Sequence, residues 1–140
     1  MSQEHKATAV VIDDHPGALR AASTIMQAEF EILAASSNSE AACDILMMFH
    51  PDIAVLDITM PVKDGFEIAR QIKERHLPTQ IIFLTLEEDD DYASAARDMG
   101  ASYVLKRRMS IDLVIAAKEA MEGKLFSSPV SSPHLKKMIY

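Results

Sequence analysis

Five short apolar runs, separated by longer segments of helical periodicity, organise the chain. The runs occupy residues 9–12, 30–34, 53–56, 81–84 and 103–105. Four of them are continuous, which is typical of strands buried on both faces of a parallel sheet. The second run is interrupted by Glu31, which is typical of an edge strand.

Apolar residues at the spacing of one helix face follow each run. Asn38 or Ser39 is predicted to cap the second helix and Ser110 to open the fifth. The face that the fifth helix is predicted to bury consists of Ile111, Val114, Ile115 and Met121. Strands that alternate with helices predict an α/β fold, a doubly wound parallel sheet of five strands with helices on both faces.

The 140 residues correspond to one domain, which is predicted to span residues 8–123. Residues 124–140 are predicted to form a tail or the start of a linker, because their first half is rich in serine and proline and has no periodicity. Such a stretch has little purpose at a true terminus, so a linker to a DNA-binding domain is slightly favoured over the end of a stand-alone protein.

Composition narrows the class of protein. Lys and Arg number 14 against 21 Asp and Glu, and the net charge of −7 argues against direct nucleic-acid binding. No apolar run approaches the about 20 residues of a membrane helix, and the start does not resemble a signal peptide. A cytoplasmic protein without membrane contact is predicted. The single cysteine, Cys43, excludes an internal disulfide, and the histidines show no metal-ligand spacing.

Polar residues stand at the ends of four of the predicted strands. Asp13 and Asp14 end the first strand, Asp57 the third and Thr85 the fourth, and Lys106 follows the fifth. The carboxyl ends of neighbouring parallel strands meet at one edge of a sheet, where ligands bind. Singly, each residue has an ordinary structural explanation, such as a helix cap or a surface charge. Together they predict a crevice with three carboxylates, a hydroxyl and an ammonium group.

Three ionised carboxylates in one crevice repel each other, so protons, Lys106 or a cation must compensate them. Mg²⁺ suits a set of oxygen ligands. The combination also suits phosphoryl transfer, in which a carboxylate becomes an aspartyl-phosphate while a metal ion and a lysine neutralise the phosphoryl oxygens.

These residues resemble the receiver domain of two-component response regulators over about residues 8–123. The resemblance is carried, in order along the chain, by residues 10–16, 55–61, 64–65, 82–85 and 100–106. It implies a flavodoxin-like sheet with strand order 2-1-3-4-5. Residues 13–16 and the region of Gly123 also resemble receivers of the NarL/LuxR type, whose regulators carry a C-terminal helix-turn-helix domain.

The resemblance implies a role for each site residue. Asp57 is expected to be the phosphoacceptor and a Mg²⁺ ligand. Asp14 is expected to bind Mg²⁺ directly, Asp13 largely through water, and Thr59 through its backbone carbonyl. Lys106 is expected to pair with the phosphoryl group. The domain would catalyse its own phosphorylation without being a turnover enzyme.

Three further residues are assigned to switching and to the lifetime of the phosphoryl group. Thr85 is expected to hydrogen-bond the phosphoryl group, and Tyr103 matches the aromatic residue whose rotamer follows the state; an ordinary half-buried strand residue is an equal alternative for Tyr103. In this fold the side chains of Thr59 and Glu87 are expected to flank the path of the attacking water.

Two residues depart from the family pattern. Leu86 replaces a small residue, and its bulk is predicted to narrow access to Asp57 or to fill space that Thr85 and Tyr103 need for switching. Arg107 stands where proline is common. Both keep open the alternative that the domain is a receiver-like interaction module, not phosphorylated and with constitutive partners.

The expected phosphoryl donor is a sensor histidine kinase or a phosphotransfer protein. A homodimer that tightens on phosphorylation is also predicted. Its interface would set Arg107 and Arg108 of one copy against the acidic run 88–91 of the other.

Overall fold

Strands and helices alternate through residues 6–129, the part of the chain that the computed structural model describes. The strands are β1 (Thr8–Ile12), β2 (Glu31–Ser36), β3 (Ile53–Asp57), β4 (Gln80–Thr85) and β5 (Ser102–Leu105). The helices are α1 (Pro16–Gln27), α2 (Ala42–Phe49), α3 (Gly65–Glu74), α4 (Asp90–Asp98) and α5 (Met109–Met121). A short 3-10 turn, Lys106–Arg108, joins β5 to α5. No helix within these residues is long and apolar enough to cross a membrane.

All neighbouring strands are parallel, and their order is β2-β1-β3-β4-β5. This confirms the predicted sheet and the position of β2 at an edge. Strand order reverses between β1 and β3, which pair from Ala9 with Ile53 to Ile12 with Leu56. The carboxyl ends of these two strands are therefore side by side at the switch point, where open parallel sheets bind ligands.

Two apolar cores cover the faces of the sheet. One contains the buried residues of α2, α3 and α4 with one set of strand side chains, and the other contains those of α1 and α5 with the alternate set. Every residue of β3 is buried, as its continuous apolar run predicts. The site at the end of β3 is consequently supported from both faces.

The predicted buried face of α5 is wrong. Ile111, Ile115 and Met121 are exposed, and the face toward the sheet consists of Asp112, Leu113, Ala116, Ala117 and Ala120. The alanines bring the helix backbone close to the sheet and leave the larger aliphatic side chains outside. The prediction gave more weight to large apolar residues than to alanine, and it therefore selected the exposed face of α5.

The predicted caps of α2 and α5 are also wrong. The Asn38 side chain accepts from the backbone N–H groups of residues 40 and 41, but this turn precedes α2, whose N-cap Ala41 has no side-chain bond. The Ser39 hydroxyl donates to the carbonyl of Pro61 instead. Ser110 lies inside the first turn of α5. Both helices are held by tertiary packing rather than by a local cap.

The acidic run before α4 has a local structural role. The Asp89 side chain accepts from the backbone N–H groups of Asp91 and Tyr92, so Asp89 is the N-cap. Asp90 and Asp91 occupy the first turn, where negative charge is favoured by the helix dipole. Asp89, Asp90 and Asp91 therefore form the start of α4.

Residues beyond α5 return to the sheet. The N–H of Tyr103 donates to the carbonyl of Phe126 (2.9 Å), and the N–H of Ser128 donates to the carbonyl of Tyr103 (2.8 Å). Tyr103 and Ser127 form a parallel bridge. The free edge of β5 is thus paired by residues 126–128, which lie in the predicted tail. The domain boundary at residue 123 stays a prediction, and residues 130–140 lie outside the described part.

Candidate functional site

The strand ends bring the predicted site residues together. Asp57 is the last residue of β3 and Thr85 the last of β4, while Asp13 directly follows β1 and Lys106 directly follows β5. These four side chains are buried, and Asp14 beside them is partly buried. The predicted convergence of three carboxylates, a hydroxyl and an ammonium group is therefore what the fold produces.

One lysine serves two buried carboxylates. Lys106 Nζ lies 2.9 Å from Asp13 Oδ2 and 3.5 Å from Asp57 Oδ2. Burial and the nearby charge of Asp13 raise the pKa of Asp57 to about 7, although Lys106 acts to lower it. The shorter contact goes to Asp13, which leaves Asp57 as the carboxylate with the less complete compensation.

Close backbone packing fixes the position of Asp57. The N–H of Thr59 donates to Asp57 Oδ1 at 3.3 Å. Gly65, the first residue of α3, approaches so closely that a Cβ built there would lie 2.5 Å from the Asp57 carbonyl oxygen. Only glycine leaves room for that contact. Sequence alone did not show this role for Gly65.

His15 belongs to the cluster, and the sequence analysis missed it. Its Nδ1 lies 3.2 Å from Asp13 Oδ1, 3.1 Å from Asp14 Oδ1 and 3.4 Å from Asp57 Oδ2. The spacing of the histidines along the chain gave no sign of this cluster. Ligand spacing along the chain was the criterion, but the third carboxylate comes from a neighbouring strand. The available signal was the position of His15 directly after two aspartates.

A cavity of about 150 Å³ opens beside the phosphoacceptor candidate. It is lined by His15, Asp57, Thr59, Thr85, Leu86, Glu87 and Lys106. The side chains of Thr59 and Glu87 are thus at the mouth through which water must come, and their effect on hydrolysis stays a prediction. Asp57, Thr85 and Lys106 therefore border one shared cavity.

Tyr103 is connected to the loop between β4 and α4. Its hydroxyl donates to the carbonyl of Glu87 (2.9 Å) and accepts from the N–H of Asp89 (3.3 Å). The Thr85 hydroxyl accepts from the N–H of Glu87 at 3.2 Å. Tyr103 is almost completely buried, and burial raises the pKa of its hydroxyl. A movement of Thr85 would be passed through this loop to Tyr103, but the switching roles themselves stay predictions.

Leu86 differs from its predicted role, and both arginines are paired within the chain. The Leu86 side chain is 65% exposed, so the prediction that it fills the space between Thr85 and Tyr103 is wrong. Arg107 pairs with Glu88 at 3.3 Å within the chain. Arg108 pairs with Asp112 at 2.8 Å. Both arginines are therefore engaged before any second copy could use them.

The donor atoms fit a hard divalent cation. Asp13, Asp14, His15 and Asp57 each offer one ligand atom, and these atoms lie within 4.8 Å of one another. Among residues 6–129, Asp14 Oδ1 and Asp57 Oδ2 are buried atoms that accept no hydrogen bond. Oxygen atoms of this kind are the preferred ligands of Mg²⁺. Coordination by the Thr59 carbonyl stays a prediction.

Comparison with known proteins decides the family. A family model described as the response regulator receiver domain matches residues 9–119. The chain belongs to the response regulator receiver family. The transcriptional regulatory protein DegU of Brevibacillus brevis is 30% identical over 129 residues, which are 90% of this chain and 55% of DegU. The nitrate/nitrite response regulator protein NarL of Escherichia coli K12 is 28% identical over 138 residues, 96% of this chain and 64% of NarL.

A similar solved structure belongs to the same class of response regulators as these relatives. A DNA-binding response regulator of the LuxR family from Staphylococcus aureus has a TM-score of 0.75 and 27% identity, covering 81% of this chain and 97% of the other. These relatives confirm the predicted resemblance to receivers of the NarL/LuxR type. They are signalling and transcription proteins rather than members of an enzyme family. This receiver spans less than two thirds of the length of DegU and NarL.

Proposed function

We propose that this receiver takes a phosphoryl group onto Asp57 from a sensor histidine kinase or a phosphotransfer protein. The observation that supports the proposal most is the environment of Asp57. It is a buried carboxylate with a raised pKa, one oxygen without a hydrogen bond, and a cavity beside it. A structural aspartate has no need of this arrangement, whereas a raised pKa beside a cavity is typical of a carboxylate with a chemical role.

In the proposed transfer, a carboxylate oxygen of Asp57 attacks the phosphorus atom of a phosphohistidine. The new O–P bond forms as the P–N bond breaks, and the imidazole leaves with the electron pair of that bond. Lys106, already 3.5 Å from Asp57 Oδ2, is positioned to neutralise a phosphoryl oxygen. The Thr85 hydroxyl lines the same cavity and can donate to another oxygen.

Asp14 and Asp57 are proposed to hold Mg²⁺ directly and Asp13 to act largely through water. When bound, Mg²⁺ supplies positive charge that screens the carboxylates from the incoming phosphoryl oxygens. Asp13 is already paired with Lys106, which leaves Asp14 as the less engaged of the two residues that follow β1.

Incubation with acetyl phosphate, with and without Mg²⁺, tests this proposal. Intact-mass measurement is expected to find one added phosphoryl group in the wild type only with Mg²⁺. Asp57→Asn is expected to abolish it, and Asp14→Asn is expected to abolish the phosphorylation that depends on Mg²⁺. Asp64→Asn is the matched control, because Asp64 caps α3 at an exposed position and asparagine also caps helices. Phosphorylation of Asp57→Asn at the wild-type level would contradict the assignment.

The second candidate is a constitutive interaction module that is not phosphorylated. It leaves the uncompensated carboxylates without an explanation, and the exposed Leu86 side chain removes one reason for it. Wild-type protein without any response to acetyl phosphate or beryllofluoride would favour this candidate.

The setting of the domain is proposed from its relatives. DegU is a transcriptional regulatory protein, NarL is a response regulator, and the Staphylococcus aureus relative is a DNA-binding response regulator. These relatives support a cytoplasmic receiver that controls transcription through DNA-binding parts of the protein. A phosphorylation-dependent homodimer also stays a proposal. An interface that sets acids against arginines would first have to break the pairs of Arg107 with Glu88 and of Arg108 with Asp112.

A further inference from the structure

His15 is the one member of the metal cluster that is not a carboxylate. Its Nδ1 faces Asp13, Asp14 and Asp57, with distances of 3.1 to 3.4 Å to one oxygen of each. Two of the neighbouring oxygens, Asp14 Oδ1 and Asp57 Oδ2, accept no hydrogen bond within residues 6–129. Asp57 is only 2% exposed, so this oxygen has little access to bulk water.

We propose that His15 Nδ1 is a metal ligand, and that it raises the affinity of the site for transition metals such as Zn²⁺ above the affinity that its carboxylates alone provide. The inference rests on the proposed cation site at Asp14 and Asp57, and it concerns the selectivity of that site. Imidazole nitrogen suits Zn²⁺, whereas Mg²⁺ selects oxygen and retains water.

The spacing of the donors supports this assignment. Ligands about 2.1 Å from a common metal ion are about 3.0 to 3.4 Å apart when they are neighbours in an octahedral or tetrahedral shell. The three distances from His15 Nδ1 lie in this interval. A nitrogen and two or three carboxylate oxygens are also a set that Zn²⁺ binds in proteins.

The backbone holds His15 in place for this role. The N–H of His15 donates to Asp13 Oδ1 at 2.9 Å, and His15 is the N-cap of α1, with Pro16 following as the first helical residue. The side chain is 52% exposed, which leaves a path from solvent to the site. Lys106 Nζ lies 3.4 Å from the same nitrogen, so the lysine competes with a metal ion for this donor.

Calorimetric titration of untagged protein with ZnCl₂ and with MgCl₂ tests the proposal. His15→Asn is the variant, since asparagine caps helices and keeps the start of α1 intact. It is expected to lower the affinity for Zn²⁺ at least tenfold and to change that for Mg²⁺ less than about twofold. His76→Asn is the matched control, because His76 is exposed and its left-handed backbone accepts asparagine.

A second readout identifies the ligand atom. The ¹⁵N resonance of His15 Nδ1 is expected to move to the metal-bound range when Zn²⁺ is added, and to stay unchanged when Mg²⁺ is added. An unchanged resonance in Zn²⁺ would overturn the proposal. The metal-ligand proposal and the phosphorylation proposal can be tested separately. His15→Asn protein that loses Zn²⁺ affinity but is still phosphorylated in Mg²⁺ would support both proposals.

Two other results also decide the question. Equal Zn²⁺ affinity in wild type and His15→Asn would show that carboxylates alone bind the ion and would overturn the proposal. Higher affinity of His15→Asn for both ions would show that His15 obstructs the site, and would overturn it equally. Failure of acetyl phosphate to modify wild-type protein, with the Zn²⁺ results as expected, would contradict the phosphorylation proposal alone.

Discussion

Two buried aspartates of this receiver have opposite surroundings. Asp57, 2% exposed, ends β3 and shares Lys106 with Asp13, and its pKa is raised to about 7. Asp112, 3% exposed, lies in α5 and accepts from Arg108 Nε at 2.8 Å and from the Ser128 hydroxyl at 2.7 Å. Burial acts to raise the pKa of Asp112 as well, but these partners outweigh it and the net pKa is lowered.

The comparison separates a candidate site from a structural contact. Burial is the same at both positions, so burial alone indicates nothing about function. What differs is whether each carboxylate oxygen has a donor. Asp112 has its donors and ties α5 to residues 126–128. Asp57 has an oxygen without a hydrogen bond within the described residues, which destabilises the free domain and prepares it to bind a cation or a phosphoryl group.

The largest effect on stability is expected from Asp112→Ala. It leaves the Ser128 hydroxyl and the Arg108 guanidinium without their acceptor in or near the interior. Loss of one partner of a buried charge pair costs about 3 to 5 kcal/mol. Because the Arg108 side chain is 34% exposed, water compensates part of this, and we expect a loss of about 2 to 3 kcal/mol.

Urea unfolding at neutral pH measures this loss. Asp98→Ala is a suitable control, since Asp98 is exposed in the last turn of α4 and its replacement is expected to stay within about 0.5 kcal/mol. Stability of Asp112→Ala within that same margin would contradict the structural role of Asp112.

Asp57→Asn is expected to have the opposite sign. The pKa of Asp57 in the folded chain, about 7, is above its ordinary value of 3.8, so the folded state binds the extra proton between these values. The stability that the bound proton contributes is therefore fully present below about pH 4, decreases as pH rises toward 7, and is lost above pH 7. Asparagine keeps an oxygen for the Thr59 N–H and removes the charge.

Without Mg²⁺ at pH 8, we expect Asp57→Asn to increase the free energy of unfolding by about 2 kcal/mol. The shift in pKa corresponds to about 4 kcal/mol, and loss of a partner for Lys106 offsets part of it. At pH 5 the gain is expected to be smaller. Asp112 titrates in the opposite sense, because its lowered pKa means that its contribution is lost only as pH falls below the ordinary range. A gain that is the same at both pH values would contradict the assigned pKa of Asp57.

The site residues that lie at the ends of strands could be predicted from the sequence. Asp13, Asp57, Thr85 and Lys106 converge because a parallel sheet places the carboxyl ends of its strands along one edge, and five apolar runs identify those ends. His15 was missed because its partners come from two strands rather than from regular spacing along the chain.

The region around Asp112 was missed for a different reason. The outward face of α5 was predicted to be buried, since its large aliphatic residues outweighed the alanines that pack on the sheet. Ser128 was assigned to a tail by composition, although its hydroxyl satisfies the N–H of Leu105 and a carboxylate oxygen. The buried face of α5 and the bonds of Ser128 both depend on contacts between distant segments. Periodicity and composition carry no information about such contacts.

A smaller effect is expected from Ser128→Ala. It removes the acceptor of the buried Leu105 N–H (3.1 Å) and one donor to Asp112 (2.7 Å), but leaves Arg108 in place. A lost buried hydrogen bond costs about 1 to 3 kcal/mol, and we expect about 1 to 2. Hydrogen exchange at the Leu105 amide is expected to accelerate. Ser127→Ala is the matched control because its side chain is exposed, and equal exchange rates in both variants would remove Ser128 from this network.

The smallest change in stability is expected from Glu87→Ala, although it tests the site most directly. The Glu87 side chain is exposed at the mouth of the cavity, while its backbone carbonyl accepts from Tyr103 and its N–H donates to Thr85. Removal of the side chain leaves both backbone bonds, so the free energy of unfolding is expected to change by less than about 0.5 kcal/mol.

The Glu87 carboxylate can orient or repel an attacking water, so the rate of dephosphorylation is expected to change. Glu74→Ala, exposed at the end of α3, is the control. Loss of phosphoryl label at the same rate in Glu87→Ala, Glu74→Ala and wild type would show that the Glu87 side chain has no part in hydrolysis. The functional part of the contrast with Asp112 would then be confined to the buried residues around Asp57.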